Sequence, residues 1–226
     1  MARQASRPVA ASVARDGDSS AADVTVPATL GVRIRHERQA AGLTVRKLAA
    51  RIRVSPSLIS QIERGRATPS VATLWAIATE LGLPIGDLFS DAEAALGTAS
   101  SMPVQSRQTR TAITLAGGVR WERLTPGPDH DVDFIYVVYP VGSESCPSDA
   151  LSQHGGKEYG YVVDGRLGVQ IGFDEYTLRA GDSISFDSQR PHRLWAIGKE
   201  PAVAVWTVVN RRGDDRSVLL HGEPAE

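Results

Sequence analysis

Between residues 29 and 90 the apolar positions recur every three or four residues, and from residue 107 onward they alternate in short runs. The period changes once along the chain, which predicts a helical region followed by a strand-rich one. In the first region GVRIRHERQAAG keeps apolar or small residues on one face and closes at Gly42, a natural residue just past a helix end. Thr44 then caps VRKLAARI, with Val45, Leu48, Ala49 and Ile52 on one stripe. Ser55 caps PSLISQIER, with Pro56 at the first helical position and Gly65 at the end. Thr68-Pro69 repeats that start signal for SVATLWAIATEL, which Gly82 closes, and a last turn, PIGDLF, brings Leu88 and Phe89 to the core.

In the second region GVRWERL, VDFIYVVYP, EYGYVVDGRLGVQI, DEYTLRA, DSISFD, HRLWAIG and AVAVWTVV come at short, regular spacing. Runs rich in Val, Ile, Tyr and Trp between Gly, Pro and Asp predict an antiparallel sandwich or barrel. In EYGYVVDG the alternation sets Glu158, Gly160 and Val162 on one face and Tyr159, Tyr161 and Val163 on the other. Asp164-Gly165 is a hairpin signal. Residues 1–28 have no lasting period and predict a flexible tail; 90–106 read as a linker, and 213–226 as a second tail. The expected domains are therefore 33–89 and 107–212.

Composition narrows the class only a little. At 42% hydrophobic and 23% charged the chain reads as soluble globular material, and 226 residues suffice for two small domains. No apolar run approaches the roughly 18 residues that cross a bilayer, and the N-terminus lacks the apolar core of a secretory signal. One cysteine, Cys146, excludes an intrachain disulfide framework and fits a reducing cytoplasm. Net charge is −1, but its distribution is uneven: residues 29–90 hold nine basic and four acidic side chains, and 91–226 hold 13 and 19. A basic module joined to an acidic one points to an anionic partner for the first.

The two helices within about 44–63 are separated by a very short connection, which sets them at the steep angle of a helix-turn-helix. Ile59 and Ile62 then face inward, while Ser57, Ser60 and Gln61 face out with side chains able to hydrogen-bond base edges. Arg46, Lys47, Arg64 and Arg66 flank them and suit phosphates, as do backbone N–H groups near Thr44 and Ser55. The segment from QAAGLT to IGDLF, and SPSLISQIERG within it, resembles the Cro/phage-repressor family of helix-turn-helix domains, the xenobiotic-response-element family. That resemblance implies a five-helix DNA-binding domain whose third helix enters the major groove. Arg53 stands where the family usually has Gly, so a positive φ at Arg53 carries a strain of roughly 1 kcal/mol.

The second region resembles the cupin fold, a jelly-roll β-barrel, over a motif core of 138–209. The first cupin motif pairs two histidines with a glutamate, and here Ser152, His154 and Glu158 take those places. In the second motif, AGDSISFDSQRPH, His192 takes the third histidine's place, and Ala196 stands where cupins often keep Asn. His154, Glu158 and His192 form a two-histidine, one-carboxylate set that can hold Fe(II) or another divalent ion. With Ser152 in place of a ligand, the alternative is a polar cavity in which the histidines hydrogen-bond around Glu158 and a bound organic molecule. The effector pocket is assigned to His154, Glu158, His192 and Tyr161.

The combined expectation is an α domain followed by an all-β domain in one chain, acting as a DNA-binding transcription regulator rather than an enzyme. The partners are a double-stranded DNA operator, a small-molecule effector and a second copy of the chain, with no membrane. A metal-dependent cupin enzyme with a DNA-binding head, and a DNA-bound adaptor with no effector, are the alternatives.

Overall fold

The computed structural model describes residues 28–89 and 103–209. The two tails, and the linker up to residue 102, lie outside the described residues. The first body holds five helices, α1 (Ala28–Ala40), α2 (Val45–Arg51), α3 (Pro56–Glu63), α4 (Val71–Leu81) and α5 (Ile85–Leu88). Nine strands follow: β1 (Ala112–Thr114), β2 (Arg120–Arg123), β3 (Val132–Tyr139), β4 (Lys157–Asp164), β5 (Arg166–Ile171), β6 (Asp174–Arg179), β7 (Ser183–Asp187), β8 (His192–Ala196) and β9 (Ala202–Val209). A five-helix unit thus precedes an antiparallel all-β unit, and only the short β1 has no counterpart among the sequence-predicted runs.

Side-chain caps start three of the helices. Thr44 Oγ1 accepts from the Lys47 N–H, and Ser55 Oγ accepts from the Leu58 N–H, both at 3.1 Å. Helix α4 departs from expectation: its cap is Ser70, whose Oγ accepts from the Thr73 N–H, not Thr68. Pro69 remains outside the helix because its carbonyl accepts a hydrogen bond from Ala116 N–H, from the strand-rich unit. Gly82 ends α4 in the left-handed region, with φ 66°. In the tight turn between α2 and α3, Arg53 adopts φ 58°, the only positive φ of a non-glycine among the described residues.

Ile34, Leu48, Ile59, Leu74 and Ile77 are fully buried in the helical core. Val45 and Ile52 are only partly covered, so the α2 stripe is narrower than its spacing predicts. Helix α1 approaches α3 so closely that a Cβ on Gly31 would meet the Ile62 carbonyl oxygen at 2.3 Å. Arg38 of α1 forks onto Glu63 of α3 and also donates to the Leu43 carbonyl, tying the helix pair to the turn that follows α1.

The strands form a six-stranded sheet in the order β1-β2-β3-β9-β4-β7 and a three-stranded sheet in the order β6-β5-β8. Every pairing is antiparallel. Burial alternates strictly along β9 and through most of β3 and β4, so one face of the large sheet lines the interior. Glu158, Gly160 and Val162 point in from β4 and Tyr159, Tyr161 and Val163 point out, as the alternation predicts. Gly160 is required there: a Cβ would fall 2.0 Å from the indole of Trp206 on the neighbouring strand.

The two units touch. Ala72 N–H of α4 donates to the Ser145 carbonyl, Gly86 N–H donates to Asp133 Oδ1, and Arg123 Nη1 donates to the Gly86 carbonyl. These contacts press α4 and α5 onto one end of the barrel.

Candidate ligand pocket and DNA-binding face

Glu158 enters the barrel from the inward side of β4, His192 from the first residue of β8, and His154 from the loop before β4. His154 is held by its N–H bond to the Ser188 carbonyl. Ser152 and His192 exchange both backbone hydrogen bonds, at 2.9 and 2.8 Å, so the serine stands beside the histidines. All four residues are buried, and Ser152 lines the same cavity as Glu158 and His192.

The polar atoms converge. Both imidazole Nε2 atoms lie 3.1 Å from Glu158 Oε1. Neither is aligned on that oxygen as a hydrogen-bond donor, and Oε1 is buried with no hydrogen bond. Each ring's Nδ1 meets a backbone carbonyl instead, Gly155 at 3.1 Å for His154 and Arg190 at 2.9 Å for His192. Such anchoring puts a proton on Nδ1, so that the neutral form of each ring turns its Nε2 lone pair inward. Glu158 Oε2 is taken by the Trp206 indole N–H at 2.6 Å. Two imidazole nitrogens and one carboxylate oxygen therefore face one point, each anchored from behind, and this donor set fits a divalent cation. The loss of a ligand at Ser152 has not dispersed the other three.

Electrostatics agree with a charged centre. Burial pushes the Glu158 carboxyl up, but the two imidazoles outweigh it and hold the group well below the usual carboxylate range. Burial lowers His192, and the Glu158 carboxylate and the Arg190 carbonyl outweigh that and raise it. Burial pushes the Tyr139 phenol up, with Glu158 adding to the effect, so its hydroxyl remains neutral beside the carboxylate. Cys146 is buried, and burial also pushes its thiol up, as befits a packing residue.

The cavity is small, about 20 Å³, and apolar residues enclose much of it: Trp121, Ile135, Val137, Leu194 and Trp206 from the barrel. Two further wall residues, Val71 and Trp75, come from α4 of the helical unit. Trp75 stacks on His154, with ring centroids 4.3 Å apart and planes within 10°, and meets Trp121 edge-on. Sequence reasoning missed both. The available signal was that SVATLWAIATEL is apolar nearly all round, as a helix covered on two sides should be. Tyr161 must be removed from the pocket: it is 50% exposed on the outer face of β4, opposite Glu158. The physical reason is the strand's period of two, which sends odd-numbered β4 side chains outward.

On the helical unit Ser57 and Gln61 are exposed on α3 and Ser60 is half-exposed. Gln61 Nε2 donates to Ser57 Oγ at 3.1 Å, and Arg64 Nη1 donates to Ser60 Oγ. Arg46, Lys47, Arg64 and Arg66 are exposed around them, and Thr44 and Ser55 cap the two helices at the same surface. The outward face of α3 is polar along its length and flanked by four cations.

Residues 34–88 match the family model described as helix-turn-helix, and residues 135–208 match the cupin domain model. The HTH-type transcriptional regulator SutR of Escherichia coli strain K12 is 26% identical over 181 residues, covering 80% of this chain and 94% of SutR. The HTH-type transcriptional regulator PuuR of the same strain is 27% identical over 163 residues, covering 72% of this chain and 84% of PuuR. A crystal structure of an HTH_3 family transcriptional regulator from Vibrio cholerae shares the fold, with a TM-score of 0.61 and 24% identity over 82% of this chain and 97% of that one.

Proposed function

We propose, from a chain that belongs to the helix-turn-helix transcription regulators carrying a cupin domain, that α3 reads an operator and the barrel senses a small molecule. The observation that carries this reading is the exposed polar face of α3 with its flanking cations, on a unit whose other side closes the barrel's cavity. Ser57, Ser60 and Gln61 offer hydrogen bonds to base edges, and Arg46, Lys47, Arg64 and Arg66 neutralise phosphates. Thr44 and Ser55 hold the two helices at the duplex surface. The chain acts in the cytoplasm, where DNA is found, and as a regulator rather than an enzyme.

His154, Glu158 and His192 would hold a divalent cation, which would supply positive charge to anchor an electron-rich group of the effector. The enclosing apolar wall selects ligands by shape. Tyr139 adds a neutral hydroxyl.

A second copy of the chain completes the reader, since one head covers only a half-site and dimeric heads sit ~34 Å apart on DNA. The outer face of the large sheet supports this. Phe134, Thr207 and Tyr159 form one cross-strand row and Tyr136, Val205 and Tyr161 the next. Phe134, Tyr159, Tyr161 and Val163 are 38–50% exposed there, an apolar surface suited to self-association.

The test is selection of duplexes from a random library by the full-length protein. The expected winner has two half-sites one helical turn apart and binds at least about 10³-fold tighter than random duplex at physiological salt. Failure to retain any duplex at modest ionic strength overturns the reading.

A further inference from the structure

We propose that the ligand pocket is built by both units and that Trp75, on the DNA-binding side, is its displaceable wall. This deepens the regulator reading and rests on it. It starts from a mismatch of sizes: about 20 Å³ is one probe sphere, room for an ion or a water and no more. Organic ligands fill sites of roughly 300–1,000 Å³. Something must yield before such a ligand can reach His154 and His192.

The barrel walls are poor candidates. Ile135 and Val137 belong to β3 and Trp206 to β9, which pair along eight consecutive residues from Val132↔Val209 to Tyr139↔Ala202. Trp206 is also fixed by its bond to Glu158. The α4 wall is different, because no sheet ladder crosses from α4 to the barrel. Among the described residues α4 is tied to the barrel by the Ala72–Ser145 bond at 3.2 Å and, just before the helix, the Ala116–Pro69 bond at 2.9 Å. The bonds of Gly86 to Asp133 and Arg123 act as the hinge at α5.

A route leads to that wall. A cleft of about 420 Å³ runs between the helical unit (Ile52, Arg53, Val54, Ser70, Thr73) and the 146–153 segment. Ser152 lines both this cleft and the inner cavity. The cleft also borders Arg53, the positive-φ residue of the turn that orients α3.

The vacated space defines the ligand class. Removing the indole opens a flat slot with the His154 imidazole on one side and the edge of Trp121 at its end. A planar ring compound fits that slot. Its binding excludes Trp75, lifts α4 from the barrel, and carries α3 with it through α1 and α2, which pack against both α3 and α4. Ligand and closed head compete for the same surface, and this competition is the differential affinity that coupling requires.

Free indole is the probe, used with full-length wild type, W75A and W75F. W75A is expected to lose about fivefold or more in affinity for the selected operator, in the range of typical coupling energies, while its affinity for random duplex is unchanged. W75F retains the stack and stays near wild type. Millimolar indole restores W75A and, without DNA, raises its melting temperature. In wild type indole has to expel Trp75 and therefore lowers operator affinity, and a wild-type operator affinity that indole leaves unchanged overturns the displaceable wall. Operator affinity of W75A equal to wild type, a loss that indole leaves in place, or no thermal shift of W75A overturns the proposal. Should W75A not fold, W75L, which fills the core without a ring, is held to the same criteria. Wild type that binds no duplex strikes the regulator reading instead, and the DNA-free thermal shift still decides the slot.

Discussion

Trp206 donates its indole N–H to Glu158 Oε2 at 2.6 Å, and this one bond fixes which carboxylate oxygen is left for the histidines. The indole lies on β9, directly beside β4, and Gly160 makes room for it. A carboxylate held from behind presents a single oxygen to the point where two Nε2 atoms converge.

Replacing that donor tests the arrangement. Trp206→Phe keeps the apolar wall but frees Glu158 to rotate, so affinity for Mn(II) or Zn(II) is expected to fall about 10–100-fold, measured by calorimetry. Affinity equal to wild type would mean that the cation does not use Glu158.

Gly160→Ala brings a methyl group to 2.0 Å from the Trp206 ring, and the rigid indole has to shift. A loss of about 1–3 kcal/mol is expected from this overpacking, read from the denaturant midpoint of the barrel transition. Metal affinity falls with it, because the bond to Glu158 moves.

The Arg38–Glu63 pair predicts a different effect on the helical unit. Both side chains are buried, with Arg38 Nη2 3.0 Å from Glu63 Oε2. Glu63→Ala leaves a guanidinium buried without its carboxylate, at an expected cost of about 3–5 kcal/mol. Chemical denaturation followed by circular dichroism at 222 nm, a helix signal, measures it; a cost under about 1 kcal/mol would show the pair behaving as a surface bridge.

Arg53→Gly is expected to stabilise the protein. An L-residue at φ 58° costs about 1–2 kcal/mol, and glycine removes that strain while loosening the unfolded chain, for a net gain of about 0.5–1 kcal/mol. A higher melting temperature checks it.

On DNA, Gln61→Ala and Arg66→Ala should separate. Gln61 faces outward from α3, so its loss relaxes base preference; Arg66 is a flanking cation, so its loss weakens binding to all sequences and reduces the salt slope by about one. Equal effects of both on operator and random duplex would show that α3 does not read bases.

Much of this protein is local and was therefore legible in the chain itself. Helix starts at Thr44 and Ser55 and the in–out alternation of β4 follow from steric and hydrogen-bonding preferences of a few neighbouring residues, whereas the left-handed Arg53 runs against its own steric preference and is expected only from the family resemblance. The resemblance to the cupin motifs groups His154 and Glu158, from the first motif, with His192, from the second. Tyr161 lies outside the pocket because its parity on β4, and not its ring chemistry, sets which face it takes. Tertiary structure decided what no neighbouring residues encode: that Trp206 selects one oxygen of Glu158, that Ser70 rather than Thr68 caps α4, and that Trp75 leaves its own unit to stack on His154. Those outcomes depend on surfaces far apart in sequence meeting at close-packed density, and only the folded chain sets which atoms then share a contact.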